Sequence, residues 1–409
     1  MKILNQSQIQ EADRQTIRME PIESIDLMER AAKTCFKWIC QRYNMDQKLT
    51  LLCGTGNNGG DGLALYRMLR QNKYSCTLFE FALGKTPSND YNRNKSKITE
   101  KNFKELTPES LSKIQKDEVI IDALLGTGLN RPVEGSLERI IQVLNEMPNT
   151  ILSIDIPTGL YSDFNHENQP NGIVQATHTL CFQMPKLAFL LPEYGKKSGH
   201  FHLLDIGLLP SYLEKVQTPY HYLTAQRAKI HFKGTNKFDH KGINGNLLLI
   251  AGSKGKMGAA VLAARAALRT GVGKLSVLTP KCGIEILQST IPEAIIEINH
   301  GINSISGYYG LNYNTISIGP GMGTNSEAKK YLKSVLTSSS AQMVIDADAI
   351  NIIAEHPKLK EMLPKNSIIT PHPKEFERLV GSWKTEQEKL KLLIQFTANY
   401  QVICVLKGA

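Results

Sequence analysis

A chain of 409 residues, 41% of them hydrophobic, is long enough for two domains with separate cores. It contains no run of about 18 uncharged apolar residues, and no apolar segment follows the first lysine, so the sequence predicts neither a membrane span nor a secretory signal and indicates a cytoplasmic protein. The seven cysteines include no CxxC pair, which favours reduced core residues over a disulfide framework or a zinc site. The net charge of +10 is spread along the chain, which suits anionic nucleotides better than nucleic acid.

In the first half of the chain, runs rich in Val, Ile and Leu alternate with segments of helical spacing. Two helices are predicted first, at 7–18 and 24–43. Strands are then predicted at 49–53, 76–81, 119–124, 150–154, 177–182 and 201–205, and helices at 62–72 and 136–145. This alternation predicts a Rossmann-like, three-layer α/β domain with a parallel sheet, whose ligands bind beyond the carboxyl ends of the strands.

A glycine-rich stretch, LTLLCGTGNNGGDG at 49–62, follows the first predicted strand. Strand, glycine loop and helix in this order are typical of a phosphate cradle, because backbone N–H groups converge on an anion at the start of the helix. Asn57, Asn58 and Asp61 add oxygens that suit a cation or sugar hydroxyls. Two further motifs, at 122–128 and 155–159, also follow strands, so all three are expected to meet at one crevice.

Three motifs, GTGNNGGDGL, DALLGTGLNRP (122–132) and SIDIPTGL (153–160), resemble the NAD(P)H-hydrate epimerase family in order and spacing. That family interconverts the two epimers of hydrated NADH or NADPH. The resemblance implies that Asp155 is catalytic. It also implies substrate contacts from Asn57, Asn58, Gly59, Gly60, Asp61, Gly126, Thr127, Gly128, Leu129, Asn130, Arg131, Pro132 and Asp155.

Three of the motif residues carry oxygen ligands, namely Asn58, Asp122 and Thr158. Such hard ligands suit an alkali or alkaline-earth ion and not zinc. The resemblance implies potassium, with Thr158 standing where serine is commoner. A further lysine, Lys186 in FQMPK, has two open interpretations, a contact with substrate phosphates or an ordinary surface lysine.

The second half of the chain begins near 239–242 with a predicted strand at 246–250, a glycine-rich turn, a helix at 259–270 and a strand at 274–278. With the motifs SIGPGMGTN, VIDADAIN, TPHPKEFERL and VICVLKGA, it resembles the ADP-dependent NAD(P)H-hydrate dehydratase, a relative of the ribokinase-like kinases. The resemblance implies ADP or ATP as a cofactor, with magnesium as a further candidate. The implied contacts are Ala259, Ala260, Gly321, Gly323 and His372 for the substrate, and Lys407, Gly408 and Ala409 for the nucleotide.

The irregular, proline-containing stretch after residue 207 predicts a domain boundary, with an epimerase domain at 1–215 and a dehydratase domain at 226–409. In the dehydratase family the chain continues past Lys-Gly-Ala to a glycine-rich anion hole with the catalytic aspartate. We therefore expect a ribokinase-like domain that is incomplete at Ala409. Binding without dehydration follows, because neither Asp346 nor Asp348 matches the catalytic aspartate.

The predicted function is repair of hydrated NADH and NADPH by epimerisation in the first domain and, in the full-length protein only, by ADP-dependent dehydration of the S form in the second, with a homo-oligomer expected. Two alternatives stay open. The epimerase fold also serves as a non-catalytic binding or scaffold module, and the second domain also resembles small-molecule kinases. The intact Asp155 and oxygen triad favour an enzyme, and His372 and the Gly258–Ala260 turn favour a dehydratase over a kinase.

Overall fold

The computed structural model describes residues 1–82, 84, 86–99, 103–232, 234, 236–307 and 313–408. The chain divides into two compact units, Met1–Phe232 and Lys233–Ala409. Each unit is built on one seven-stranded sheet whose paired strands are all parallel. The predicted α/β class is confirmed for both halves of the chain.

The sheet of the first unit has the strand order β3-β2-β1-β4-β5-β6-β7. Its strands are β1 (Leu49–Gly54), β2 (Cys76–Phe81), β3 (Lys104–Glu105), β4 (Val119–Ala123), β5 (Ile151–Ile154), β6 (His178–Phe182) and β7 (His200–Leu204). The helices are α1 (Gln6–Met19), α2 (Ser24–Cys40), α3 (Asn57–Gln71), α4 (Asn89–Ser96), α5 (Pro108–Leu111), α6 (Ser136–Glu146), α7 (Pro210–Lys215) and α8 (Ala225–His231). The strand order reverses between β1 and β4, which is where doubly wound sheets open a ligand crevice.

The second unit repeats this order as β10-β9-β8-β11-β12-β13-β14. Its strands are β8 (Asn246–Ile250), β9 (Lys274–Thr279), β10 (Ile295–Ile298), β11 (Thr315–Ile318), β12 (Gln342–Ile345), β13 (Ile368–Ile369) and β14 (Ile403–Cys404). Its helices are α9 (Met257–Arg269), α10 (Ile284–Thr290), α11 (Ser326–Ser338), α12 (Asp348–Glu355), α13 (Pro373–Val380) and α14 (Glu386–Tyr400). Here the switch point lies between β8 and β11.

The sheet of the first unit is covered on both faces, as alternating side chains require. Leu51 and Ile121 point into a cluster with α2 and α3, whereas Leu52 and Ile120 point into a cluster with α6. The neighbouring strands therefore bury both faces and form the middle of three layers.

Helix α3 begins at Asn57, five residues before the predicted start at Gly62, so the glycine-rich stretch is the first turn of the helix and not a loop. Two glycines let this turn lie against the sheet. A Cβ added to Gly59 would lie 1.7 Å from the Gly54 carbonyl oxygen, and one added to Gly62 would lie 2.6 Å from Cys53 Sγ. The unpaired N–H groups of the first turn consequently lie at the carboxyl end of β1.

Helix α1 is attached to the first unit by residues that come much later in the chain. Ile3 N donates to the Tyr220 carbonyl, and Tyr222 N donates to the Met1 carbonyl, at 3.0 and 2.8 Å. Leu209 N donates to Thr16 Oγ1 at 2.9 Å. The chain from Leu209 to Tyr222, which includes α7, thus attaches the amino terminus to the first unit.

None of the helices in the described residues is long and apolar enough to cross a membrane. All seven cysteines are free, but the expectation that they are core residues holds only in part. Cys35, Cys53 and Cys181 are buried, Cys40 is exposed, and the other three are partly buried.

Candidate active site

A cavity of about 730 Å³ opens in the first unit beside the carboxyl ends of β1, β4, β5 and β6. Pockets for small ligands occupy roughly 300–1,000 Å³, so a large ligand fits here. All three sequence motifs contribute to its lining, together with α1 and α2. The predicted site residues that line it are Asn57, Asn58, Asp61, Gly126, Thr127, Gly128, Leu129, Asn130, Arg131, Pro132 and Asp155.

Two predicted contact residues, Gly59 and Gly60, lie behind the cavity wall. Gly59 packs on Gly54, and a Cβ at Gly60 would lie 2.8 Å from Met28 Sδ. Their position gives them a packing role that brings α3 close to β1 and to α2.

Asp155 follows β5 directly and has the left-handed backbone angle φ = 63°. Its Oδ1 accepts a hydrogen bond from Lys186 Nζ at 2.7 Å and another from Phe182 N at 3.1 Å. Lys186 is only 1% exposed. Asp155 and Lys186 therefore form a buried ion pair that joins the carboxyl ends of β5 and β6.

The environment of Lys186 keeps it charged. Burial lowers the pKa of this ammonium group, but the Asp155 carboxylate and the Cys181 sulfur raise it, and the result is a pKa above the ordinary value. The surface-lysine interpretation of Lys186 is wrong, because this side chain, four residues after the end of β6 at Phe182, turns inward to the Asp155 carboxylate. No local pattern distinguishes it from an exposed lysine.

Two more carboxyl groups line the cavity, Asp61 from α3 and Asp13 from α1. Burial raises the pKa of Asp61 well above its ordinary value, and Asp155, Asp13 and Asp90 raise it further. Burial also raises the pKa of Asp13 to about 7, with a contribution from Asp155 that Lys186 opposes. Both groups are therefore harder to ionise than ordinary aspartates.

The sequence motifs do not include Asp13, but a signal for it exists. In α1, Asp13 lies four residues after Ile9 and four before Ile17. The carboxyl group of Asp13 therefore lies on the apolar face of an amphipathic helix. Both isoleucines line the same cavity. A carboxylate in this position is rarely structural, since its burial is costly without a partner.

The three proposed cation ligands lie together beneath the loop after β4. Asp122 is fully buried and accepts hydrogen bonds from Ser153 Oγ, from Leu124 N, and from both the N and the Oγ1 of Thr158. Thr158 Oγ1 accepts a hydrogen bond from Leu125 N at 2.9 Å, and Asn58 Nδ2 donates to the Leu125 carbonyl at 3.0 Å. One peptide segment at Leu125 thus connects Asn58 with Thr158.

Within the described residues, no lysine or arginine forms an ion pair with Asp122. Burial raises the pKa of this carboxyl group, although hydrogen bonds from Thr158 and Ser153 lower it. Asp122 is therefore a buried carboxylate with no charged partner in the described residues, next to the Thr158 hydroxyl and the Leu125 carbonyl, and such oxygen groups suit a monovalent cation.

In the second unit, the predicted residues that the structure describes follow the carboxyl ends of β8, β11, β13 and β14. Asp348 Oδ2 accepts hydrogen bonds from Gly323 N at 2.9 Å and from Lys256 Nζ at 3.1 Å. A Cβ on Gly321 would lie 3.1 Å from Ala259 Cβ. The structure therefore brings Gly321, Gly323 and Ala259 together around Lys256.

The remaining predicted residues of the second unit have different surroundings. Ala260 is buried in the apolar core beneath α9. His372 caps the start of α13, where its Nδ1 accepts hydrogen bonds from Lys374 N and Glu375 N. Lys407 Nζ donates to Asp346 Oδ1 at 2.7 Å. Gly408 is exposed, and Ala409 lies outside the described residues.

Fold and sites together define a two-domain α/β enzyme with a nucleotide-sized crevice at the switch point of its first sheet. The family model of the YjeF-related protein N-terminus matches residues 24–188, and that of NAD(P)H-hydrate dehydratase matches residues 247–409. The chain belongs to the family of bifunctional NAD(P)H-hydrate repair enzymes, and the predicted family is confirmed.

Two curated relatives carry the name bifunctional NAD(P)H-hydrate repair enzyme Nnr. The one from Coxiella burnetii is 30% identical over 411 residues, covering 100% of this chain and 82% of the relative. The one from Escherichia coli is also 30% identical, covering 98% and 76%. A solved ADP/ATP-dependent NAD(P)H-hydrate dehydratase from Bacillus subtilis, co-crystallised with ATP and Mg²⁺, is 29% identical with a TM-score of 0.38, covering 45% of this chain and 65% of that chain.

Proposed function

We propose that the cavity of the first unit binds hydrated NADH or NADPH, and that Asp155 exchanges a proton with the substrate during epimerisation. The observation that supports this proposal is the buried Asp155–Lys186 pair on the cavity wall. Lys186 Nζ and Phe182 N both donate to Asp155 Oδ1, so they fix the orientation of the carboxylate at the cavity wall, where a positioned carboxyl group can exchange a proton with a bound substrate.

Epimerisation inverts the ring carbon that carries the hydroxyl group next to nitrogen. Either this carbon loses and regains its hydroxyl, or the ring opens at the carbon–nitrogen bond and closes again. Both routes require one proton to be given and one to be removed. The loop 126–132 and the start of α3 would hold the dinucleotide, with the N–H groups of α3 directed to its phosphates.

For the second unit we propose binding of the S form and of the nucleotide that takes part in its ADP-dependent dehydration. ADP or ATP would phosphorylate the same hydroxyl group, and its loss as phosphate restores the nicotinamide ring, because phosphate leaves far more readily than hydroxide. Gly321, Gly323 and Ala259 would face the substrate, and Lys407 the nucleotide. Magnesium remains a candidate, because nucleotide phosphates are its usual partners.

The epimerase proposal is tested by mixing the protein with the isolated R epimer and following the S epimer by chromatography. We expect equilibration much faster than the spontaneous reaction. A rate equal to the spontaneous one, with binding of the epimer retained, would favour the scaffold alternative.

We further propose that Asn58, Asp122 and Thr158 hold a potassium ion. The ion would neutralise the buried Asp122 carboxylate and fix the loop after β4, so that its contribution is orientation of the substrate. The melting temperature should rise with potassium chloride and not with choline chloride, because an ion that binds only the folded state stabilises it.

Asp122→Asn should abolish this response, since the amide carries no charge for the ion to neutralise. Asp163→Asn is the matched control, because Asp163 is a partly buried carboxyl group of the same unit outside the proposed ligand set. Equal potassium responses in both variants and the original protein would exclude the site. Zinc chelators should have no effect.

Three expectations remain predictions: domains at 1–215 and 226–409, a cytoplasmic homo-oligomer, and no nucleic-acid partner.

A further inference from the structure

The epimerase cavity contains more acidic groups than the proposed function uses. Asp13, Asp61 and Asp155 reach it from three separate elements, and only Asp155 has an ion-pair partner among the described residues. No hydrogen-bond donor in the described part of the chain contacts the carboxyl group of Asp13. This side chain is partly buried between Ile9 and Ile17 and opens onto the substrate space.

We propose that Asp13 is a second catalytic residue of epimerisation, which gives the substrate a proton while Asp155 accepts one. The inference rests on the proposed function of the same cavity. It assigns the two halves of proton transfer to two carboxyl groups on different walls, one on α1 and one after β5.

Asp13 and Asp155 together supply and remove the protons that either chemical route requires. In the first route, Asp13 protonates the hydroxyl oxygen, the carbon–oxygen bond breaks, water leaves, and the ring nitrogen lone pair forms a carbon–nitrogen double bond. Water then adds to the other face, the electron pair returns to nitrogen, and Asp155 takes the released proton.

In the second route, Asp155 removes the hydroxyl proton, a carbon–oxygen double bond forms as the carbon–nitrogen bond breaks, and Asp13 protonates the nitrogen. When the ring closes again in this second route, the proton transfers run in reverse and both carboxyl groups return to their starting forms. In the first route, exchange with solvent returns a proton to Asp13 and removes one from Asp155.

The surroundings of Asp13 suit it to the role of proton donor. The pKa of Asp13, raised by burial and by Asp155 to about 7, makes it an acid that is still protonated in part at neutral pH. Lys186 moderates the rise, and Asp61 is a further carboxyl group of the same cavity, whose own pKa is raised by burial, by Asp155 and by Asp13. Asp61 is less suited to alternate between a protonated and an ionised form, because burial and three neighbouring carboxyl groups oppose its ionisation.

The inference is tested by the rate of epimer interconversion from pH 5.5 to 9 for the original protein and for Asp13→Asn. We expect the original rate to fall as pH rises through about 7, because Asp13 loses its proton there. Asp13→Asn should lower the rate below pH 7 by about 100-fold or more and remove this decline. Glu11→Gln is the matched control, since Glu11 lies on the same helix, pairs with Arg14 and does not line the cavity.

A structural role alone would not move the pH dependence. Asp13→Glu, which keeps a carboxyl group, should retain the alkaline decline at a reduced rate, and it tests the assignment even if Asp13→Asn folds poorly. A full rate and an unchanged pH dependence in Asp13→Asn would overturn the inference, as would an alkaline decline that is absent from Asp13→Glu.

The outcomes also separate the two proposals. If Asp155→Asn is inactive while Asp13→Asn is fully active, only the role of Asp13 is wrong. If the original protein does not accelerate epimerisation, or if Asp155→Asn remains fully active, the proposed function of the cavity fails.

Discussion

Asp155→Asn should slow epimerisation by about 100-fold to 10,000-fold, the usual cost of losing a general acid–base group. The amide is close in size to the carboxylate, but it does not accept a proton. The left-handed backbone of Asp155 makes asparagine the suitable replacement, because asparagine tolerates this conformation far better than alanine. The rate is measured by chromatography from the R epimer to the S epimer.

Asp163→Asn controls for general effects of removing a partly buried carboxylate and should retain the full rate. A loss of less than about tenfold in Asp155→Asn, well short of the usual cost of such a group, would contradict a direct proton transfer by Asp155.

Lys186→Met should reduce the stability of the first unit by about 3–5 kcal/mol, because it leaves the Asp155 carboxylate without its buried partner. Methionine fills a similar volume, so the loss reflects charge more than packing. Adding Asp155→Asn should recover much of the loss, since no uncompensated charge then remains. Calorimetry compares the single and double variants.

Lys97→Met is the matched control. Lys97 pairs with Glu29 at 3.1 Å while 43% exposed, and exposed pairs contribute roughly 0–1 kcal/mol. If the effects of Lys186→Met and Asp155→Asn simply add, the two side chains do not stabilise each other, and the importance of the ion pair is refuted.

Much of the fold could be predicted because each strand carries its own signal. The strand predicted at 76–81 has the bounds of β2, and that at 49–53 misses only Gly54. The start of α3 could not be predicted in this way. Asn-Asn-Gly-Gly is typical of a turn, and its helical conformation accompanies a packing of Gly59 on Gly54 so close that no Cβ would fit, which the local sequence does not reveal.

The site residues also fall into two groups, those that could be predicted from the sequence and those that could not. Motif residues such as Asp155 and Arg131 follow strands, and the geometry of a parallel sheet brings them to one edge. Lys186 and Asp13 depend on contacts between distant parts of the chain. Neither the burial of Lys186 nor its carboxylate partner can be inferred from the FQMPK segment, and the position of Asp13 depends on how α1 packs.

The attachment of α1 also determines which parts of the chain open together. Met1 and Ile3 are bound to Tyr222 and Tyr220, more than 200 residues away in sequence, and Thr16 to Leu209. If the segment 209–222 detaches in a local unfolding event, α1 loses these bonds and is then held by its apolar packing on α2 and Met184, so we expect Asp13 to be positioned less firmly in the cavity. Proteolytic cleavage in that segment should consequently weaken the cavity wall that carries Asp13, although the two positions lie at opposite ends of the domain's sequence.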